Sequence, residues 1–199
     1  MSPKALESDR IEEAVALLTA AFHQEGSATF VFPDPHERSH CLPDFFRSLV
    51  AHGLAFGEVY TLDEPMRAVA IWLRPQDGQA AADAEAGDTV PPFARTWPES
   101  AQQRFRLLVE HVNTVQARVI TEPLWLLWWL GVEPRSQGQG FGSALIQPML
   151  ARLDVDRSSC ILQTMEEHNI ALYERHGFRM LAEDLVPGTG VALWTMRRG

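Results

Sequence analysis

The stretch Leu130-Gly131-Val132-Glu133-Pro134-Arg135-Ser136-Gln137-Gly138-Gln139-Gly140-Phe141-Gly142-Ser143-Ala144-Leu145 sets three glycines at alternate positions between an apolar run and a helix-like run. The residues in front of it, 124–130 (LWLLWWL), are too apolar for a half-exposed strand and too few to span a bilayer, which predicts a central strand covered on both faces. A strand that ends in a glycine-rich turn and opens a helix exposes unpaired backbone N–H groups at the positive end of the helix dipole. Glycine at such a turn permits close approach of phosphate oxygens and a positive φ. A P-loop would need Lys and then Ser or Thr after its last glycine, but Gly142 is followed by Ser143 and Ala144. A dinucleotide fingerprint would need glycine at position 143 or 145, where Ser143 and Leu145 stand. What remains is either another kind of phosphate loop or a tight turn that eases helix-to-sheet packing.

The pattern Val132-x-Pro134, then Gln137-x-x-Gly140-x-Gly142, resembles the coenzyme A pyrophosphate loop of the GCN5-related N-acetyltransferase (GNAT) family, Q/R-x-x-G-x-G/A after the fourth strand. A second patch, Asn169-Ile170-Ala171-Leu172-Tyr173-Glu174-Arg175-His176-Gly177-Phe178, is similar to that family's N-x-x-A-x-x-x-Y-x-x-x-G-F helix, with Ala171 and Tyr173 at +2 and +4 from the asparagine. About one helix and one strand separate the two, as the family requires. The resemblance covers residues 120–197 through these motifs and the N-terminal half through element order. Phe32-Pro33-Asp34 and the 69–73 run with Pro75 are similar to the branch containing puromycin-type acetyltransferases.

The resemblance implies a mixed α/β fold with a splayed central sheet, acetyl-CoA as acetyl donor, and transfer to an amine. It implies that Gln137, Gly138, Gln139, Gly140, Phe141, Gly142 and Ser143 hold the pyrophosphate, with Arg135 an ionic helper or a solvated loop charge. Main-chain groups of Leu130, Gly131 and Val132 are then expected to pair with the pantetheine arm as an added strand would. Asn169 and Tyr173, four apart, share a helix face. The family uses this Asn for the pantetheine arm and this Tyr as acid for the leaving thiolate; capping and core packing are the alternatives.

A lysine-like amine is neutral in roughly one molecule in 10³ at pH 7, so a base or a water chain is useful. Glu122 at the start of the fourth strand, Glu58 and Glu166 are the candidates, each by default a solvated carboxylate. Where many relatives carry an acid on the fifth strand this chain has Gln163, which cannot take a proton. No metal is expected: His36 and His40 are four apart, without a third ligand at suitable spacing.

The rest of the chain fills in around the loop. Helices are predicted over residues 8–22, with Asp9 and Glu12 as a capping box, and over 36–52, with Pro43 in the first turn of its later part. Strands over 55–62 and 67–73 form a hairpin, followed by a polar, Pro-flanked excursion over 74–92. Helices over 99–118, 141–153 and 169–176 and strands over 160–165, 178–185 and 191–196 complete a single domain over residues 1–199.

A net charge of -9 argues against nucleic-acid and anionic-membrane partners and suits a cationic or neutral substrate. The two cysteines, Cys41 and Cys160, suggest a reducing compartment, and no leader or membrane span is read, so a cytoplasmic protein is expected. Of the six tryptophans, Trp125, Trp128 and Trp129 read as core or pocket wall, with an aromatic cage for a cation as the sharper alternative. The expected partner is a small-molecule amine, with the protein a monomer or homodimer. An enzyme acting on a protein or peptide amine, and a non-catalytic coenzyme A-binding module, are the alternatives.

Overall fold

The computed structural model describes residues 2–75 and 91–199, so most of the excursion read over 74–92 lies outside the described residues. The strands are β1 (Lys4–Ala5), β2 (Gly57–Leu62), β3 (Ala68–Leu73), β4 (Trp125–Val132), β5 (Cys160–Thr164), β6 (Arg179–Leu185) and β7 (Ala192–Arg198). They form one sheet of order β1-β2-β3-β4-β5-β7-β6. Among the described residues only β4 and β5 run parallel, so the fold is a mixed α/β sheet with β4 at its middle. The helices are α1 (Ile11–Phe22), α2 (Gly26–Val31), α3 (Pro35–Phe56), α4 (Glu99–Val119), α5 (Phe141–Asp156) and α6 (Ile170–Arg175).

Alternation along β3 explains how the layers attach. Val69 and Ile71 pack with α1 and α3 on one face, while Ala68, Ala70 and Trp72 pack with Leu145, Ile146, Met149 and Leu153 of α5 on the other. All six residues of β3 are buried. The apolar 124–130 run does form the central strand, but its burial is uneven: Leu126 and Leu127 are covered, whereas Trp128, Trp129 and Leu130 are half-buried. The cause is at β5, which pairs with β4 only through Trp125↔Cys160, Leu126↔Ile161 and Leu127↔Leu162. Beyond that point Gln163 and Thr164 pair with β7, and Trp129 to Val132 with β3, leaving a wedge between them.

A β-bulge sits at the root of the wedge. Ile71 pairs with Trp129 and Trp72 with Leu127, so Trp128 is the extra residue on β4. A bulge adds twist and re-phases the strand. Accordingly Trp128 and Trp129 both pack toward α1 and α3, while Leu127 and Leu130 face α5.

Three sequence expectations are corrected. Pro43 lies inside one continuous α3. An interior proline costs about 3 kcal/mol, but Leu42, Phe45, Phe46, Leu49 and Val50 are buried around it, each worth about 1.5–3 kcal/mol, so packing wins. The capping box does not form: Ser8–Arg10 is a 3-10 turn, α1 has no side-chain cap, and both Glu12 oxygens accept from Arg47 at 2.8 Å. The segment 26–31, left outside the predicted helices over 8–22 and 36–52, is α2, a helix of 6 residues that is too short to show a period.

Gly57 joins α3 to β2 at a corner with no room for a side chain, because a Cβ there would overlap the Trp72 carbonyl oxygen and lie 3.1 Å from that of Gly53. Gly57→Ala should lower stability by about 3 kcal/mol through overpacking against backbone that cannot yield. Urea denaturation measures this, and an unchanged midpoint would show that the corner relaxes freely.

Candidate active site

The wedge brings two features together. One is its floor on β4, where Gly131 faces α1. A Cβ at Gly131 would come within 2.7 Å of Leu18 and 3.4 Å of Phe22, so the glycine lets α1 lie directly against the strand. Leu130, Gly131 and Val132 thus form the wall of the opening, and their unshared edge faces the place where β5 has departed.

The other feature is the turn from β4 into α5. Gly138 and Gly140 have φ of 72° and 87°, the left-handed region that glycine alone enters at little cost. A Cβ at either would meet nothing within 4 Å, so the loop is a shallow open cradle. Ala144 is the first residue of the turn to donate back into the helix, to the Gly140 carbonyl. The amides of Gly138, Gln139, Gly140, Phe141, Gly142 and Ser143 donate to no protein acceptor among the described residues. The turn is braced by side chains rather than filled by them: Gln137 Nε2 donates to the Val132 carbonyl at 3.3 Å and Gln139 Nε2 to that of Arg135 at 2.9 Å. Arg135 itself is exposed beside the loop. His176 Nε2 lies 2.9 Å from Ser143 Oγ, and burial, with Arg175 and Arg198, holds the His176 pKa below its usual value. A neutral ring therefore ties α6 to the first turn of α5 without adding charge to the cradle.

Inside the wedge a cavity of about 200 Å³ is bounded by α2, α3, α4 and the outer half of β4. Tyr173 and Asn169 line it together, as their spacing predicts. Tyr173 is buried and meets Phe178 edge-on at 5.9 Å, and burial, then the charge of Glu25, raises its phenol above the usual range. Asn169 makes no capping bond to α6; its Nδ2 donates to Thr164 Oγ1 at 3.5 Å.

The acids read from sequence lie elsewhere. Glu122 precedes β4 at the closed end of the wedge and is held by Arg197 at 2.6 Å. Glu58 sits on the α5 face of β2, between Tyr60 at 2.6 Å and Arg152 at 2.9 Å. Glu166 is closer, but its Oε1 is engaged by the Gly26 amide at 2.6 Å. The carboxylate that lines the cavity is Glu25, in the turn between α1 and α2, which the sequence reading missed. Burial, assisted by the charge of Glu166, pushes the Glu25 carboxyl up to about 7. No local pattern marks such a residue, because the burial and the second charge come from segments distant in the chain.

Gln163 points from β5 toward α4, accepting from Gln116 Nε2 at 2.6 Å and donating to Thr195 Oγ1 at 3.1 Å. Both glutamines line the cavity. The resulting site offers a run of free amides, an unpaired strand edge, a buried phenol and a carboxyl poised near neutrality.

Residues 103–180 match the family model for the acetyltransferase (GNAT) domain. A histone acetyltransferase HPA2 and related acetyltransferase from Corynebacterium glutamicum superposes with a TM-score of 0.69 at 20% identity, over 99% of this chain and 94% of that one. A mosquito arylalkylamine N-acetyltransferase-like protein gives 0.63 at 15% identity, over 98% of each chain. The polyamine N-acetyltransferase of Drosophila melanogaster gives 0.64 at 13%, over 98% of this chain and 97% of that one. At these identities the structural likeness shows the fold.

Because the space around Gly140 is open, Gly140→Ala should cost only about 1 kcal/mol of stability, from its positive φ, while the added methyl fills the cradle. Titration of the melting temperature with acetyl-CoA should show at least about tenfold weaker binding than in the parent protein. Unchanged binding would mean that the loop is a turn only.

Proposed function

We propose that the chain is an acetyl-CoA-dependent N-acetyltransferase that modifies the amine of a small molecule by direct attack in a ternary complex: residues 103–180 match the acetyltransferase (GNAT) domain model, and the whole chain shares the fold of an acetyltransferase of solved structure. The observation that carries the reading is the wedge itself, which joins the amide cradle to a cavity holding Glu25, Asn169 and Tyr173. Helices α2, α3 and α4 line much of the cavity, and its volume of about 200 Å³ favours a small molecule over a peptide.

Acetyl-CoA, when bound, supplies an acyl carbon activated as a thioester. The amides of Gly138 to Ser143 fit its pyrophosphate, being free donors at a helix N-terminus with space for oxygens in front of them. The main chain of Leu130, Gly131 and Val132, with Asn169 lining the same opening, fits an extended arm, and an N–H of that edge would polarise the thioester carbonyl.

Glu25 takes the proton that the amine must lose. Moving a proton from an amine of pKa near 10.4 to an ordinary carboxylate is uphill by about 8 kcal/mol, and lifting Glu25 to about 7 removes about 3 kcal/mol of that. With acetyl-CoA held in the wedge, the amine would take the acyl carbon as the carbon–sulfur bond breaks, and the Tyr173 hydroxyl, which lines the cavity beside Asn169, would donate to the leaving sulfur. Burial keeps that hydroxyl protonated, yet a raised phenol gives up its proton reluctantly to a thiolate whose conjugate acid has a pKa near 8.5. Hydrogen-bond donation is therefore its larger contribution.

Thiol release from acetyl-CoA with a panel of amines tests the reaction, and acetyl-CoA should raise the melting temperature far more than ATP or NAD does. The kcat/KM should rise with pH through about 7 as Glu25 ionises. Glu25→Gln should lose that limb and about 10²- to 10⁴-fold in rate. The sign on stability is opposite: the folded state binds the Glu25 proton more tightly than the unfolded chain, so this group subtracts stability between about pH 4.5 and 7. The variant should therefore melt higher than the parent above pH 7 and similarly below pH 4.5. A parent profile flat across pH 6–8 would remove Glu25 as the base. Tyr173→Phe should slow turnover by about 10²-fold with cofactor affinity nearly unchanged, and a loss under threefold would leave Tyr173 as a packing residue.

A further inference from the structure

The cavity carries more information than the presence of a base. Its wall is largely apolar and combines aliphatic with aromatic side chains, among the latter Phe45, Phe46, Trp97, Phe105, Trp128 and Trp129. Among the described lining residues Glu25 is the only carboxylate, and none is Lys, Arg or His. The polar groups left are neutral: Ser27, Gln116, Gln163, Thr164, Asn169 and the Tyr173 hydroxyl.

The rings do not form a cage around one centre. Phe45 meets Phe46, Phe105 and Trp129 edge-on, at centroid distances of 5.1, 5.8 and 5.6 Å and interplanar angles of 62°, 80° and 84°. In such contacts the electron-rich face of one ring receives the edge of another, so faces that would attract a cation are already engaged. The wall is thus an apolar surface suited to the body of a ligand. Its single carboxylate matches a single ammonium.

Resting on the acetyltransferase reading, we infer that the acceptor is a primary monoamine on a short linker to an aromatic or branched apolar body, and that polyamines and guanidino-amines are disfavoured. The ammonium lies against Glu25 and the apolar body against α3, α4 and the two tryptophans of the β4 bulge. A second cation at the far end of the same ligand would leave water for a wall without a counter-charge among the described residues, and an unpaired charge is costly to bury.

The test is steady-state thiol release at saturating acetyl-CoA with 2-phenylethylamine, tryptamine and isoamylamine against putrescine, spermidine and agmatine. The first group should exceed the second by about 100-fold in kcat/KM. Val112→Asp, which puts a second carboxylate on the α4 wall, should narrow that ratio by about tenfold, chiefly by raising the diamine value. A melting curve shows whether this variant is folded, and if it is not, the parent ratio decides alone. Polyamines turned over as well as the arylalkyl amines, or acetyl-CoA binding with turnover of neither group, overturns the inference. Failure of acetyl-CoA to raise the melting temperature at all sinks instead the acetyltransferase reading beneath it.

Discussion

Everything of functional interest in this protein follows from the shortness of one strand pairing. β4 and β5 share three residue pairs and then part. Up to that point the sheet is ordinary and buried on both faces; past it, each strand keeps its other neighbour, so the separation leaves one unpaired edge on each side and does not unravel the sheet. Unpaired backbone in a protein interior is costly unless something satisfies it. The wedge thus leaves main-chain edges of β4 and β5 unshared between them, with the cradle where β4 ends and the cavity beside its outer half.

The motifs were legible in the sequence where the property is local. Gly138 and Gly140 stand where the chain turns through positive φ, and Asn169 and Tyr173 share a helix face whatever surrounds them. The strands over 57–62, 68–73 and 160–164 were legible from composition and turn residues alone. What escaped was set by tertiary contact. Glu25 looks like any surface acid, and only the packing of α2 beneath α4, where Arg104 donates to the Val31 carbonyl at 2.8 Å, encloses it. Glu12 looks like a capping residue and is instead claimed by Arg47, distant in sequence. Proline signals a break, yet at Pro43 the apolar face around it outweighs the lost hydrogen bond.

The Glu25 and Glu166 pair shows how one arrangement serves structure and, in the proposed reaction, chemistry. Glu166 accepts the first amide of α2 and so fixes the segment that follows Glu25 against the β5 side of the wedge. The same charge, near a carboxyl already short of water, helps keep Glu25 protonated to about neutral pH. Stability is lost at that point, as expected where a group is held away from its preferred charge state for a purpose.

The bulge at Trp128 has an evolutionary side. Since the strand alternation before and after it is regular, the twist that leads β4 away from β5 depends on one residue more on β4 than on β3. The opening is therefore written in a residue count rather than in a residue type. Exchange of Trp128 for another side chain would alter the cavity wall and leave the parting of the strands in place. Loss of the position by a single-codon deletion would remove the bulge and with it the added local twist at the root of the wedge. Substitution can thus remodel the cavity wall freely, whereas the bulge is exposed only to rarer insertions and deletions.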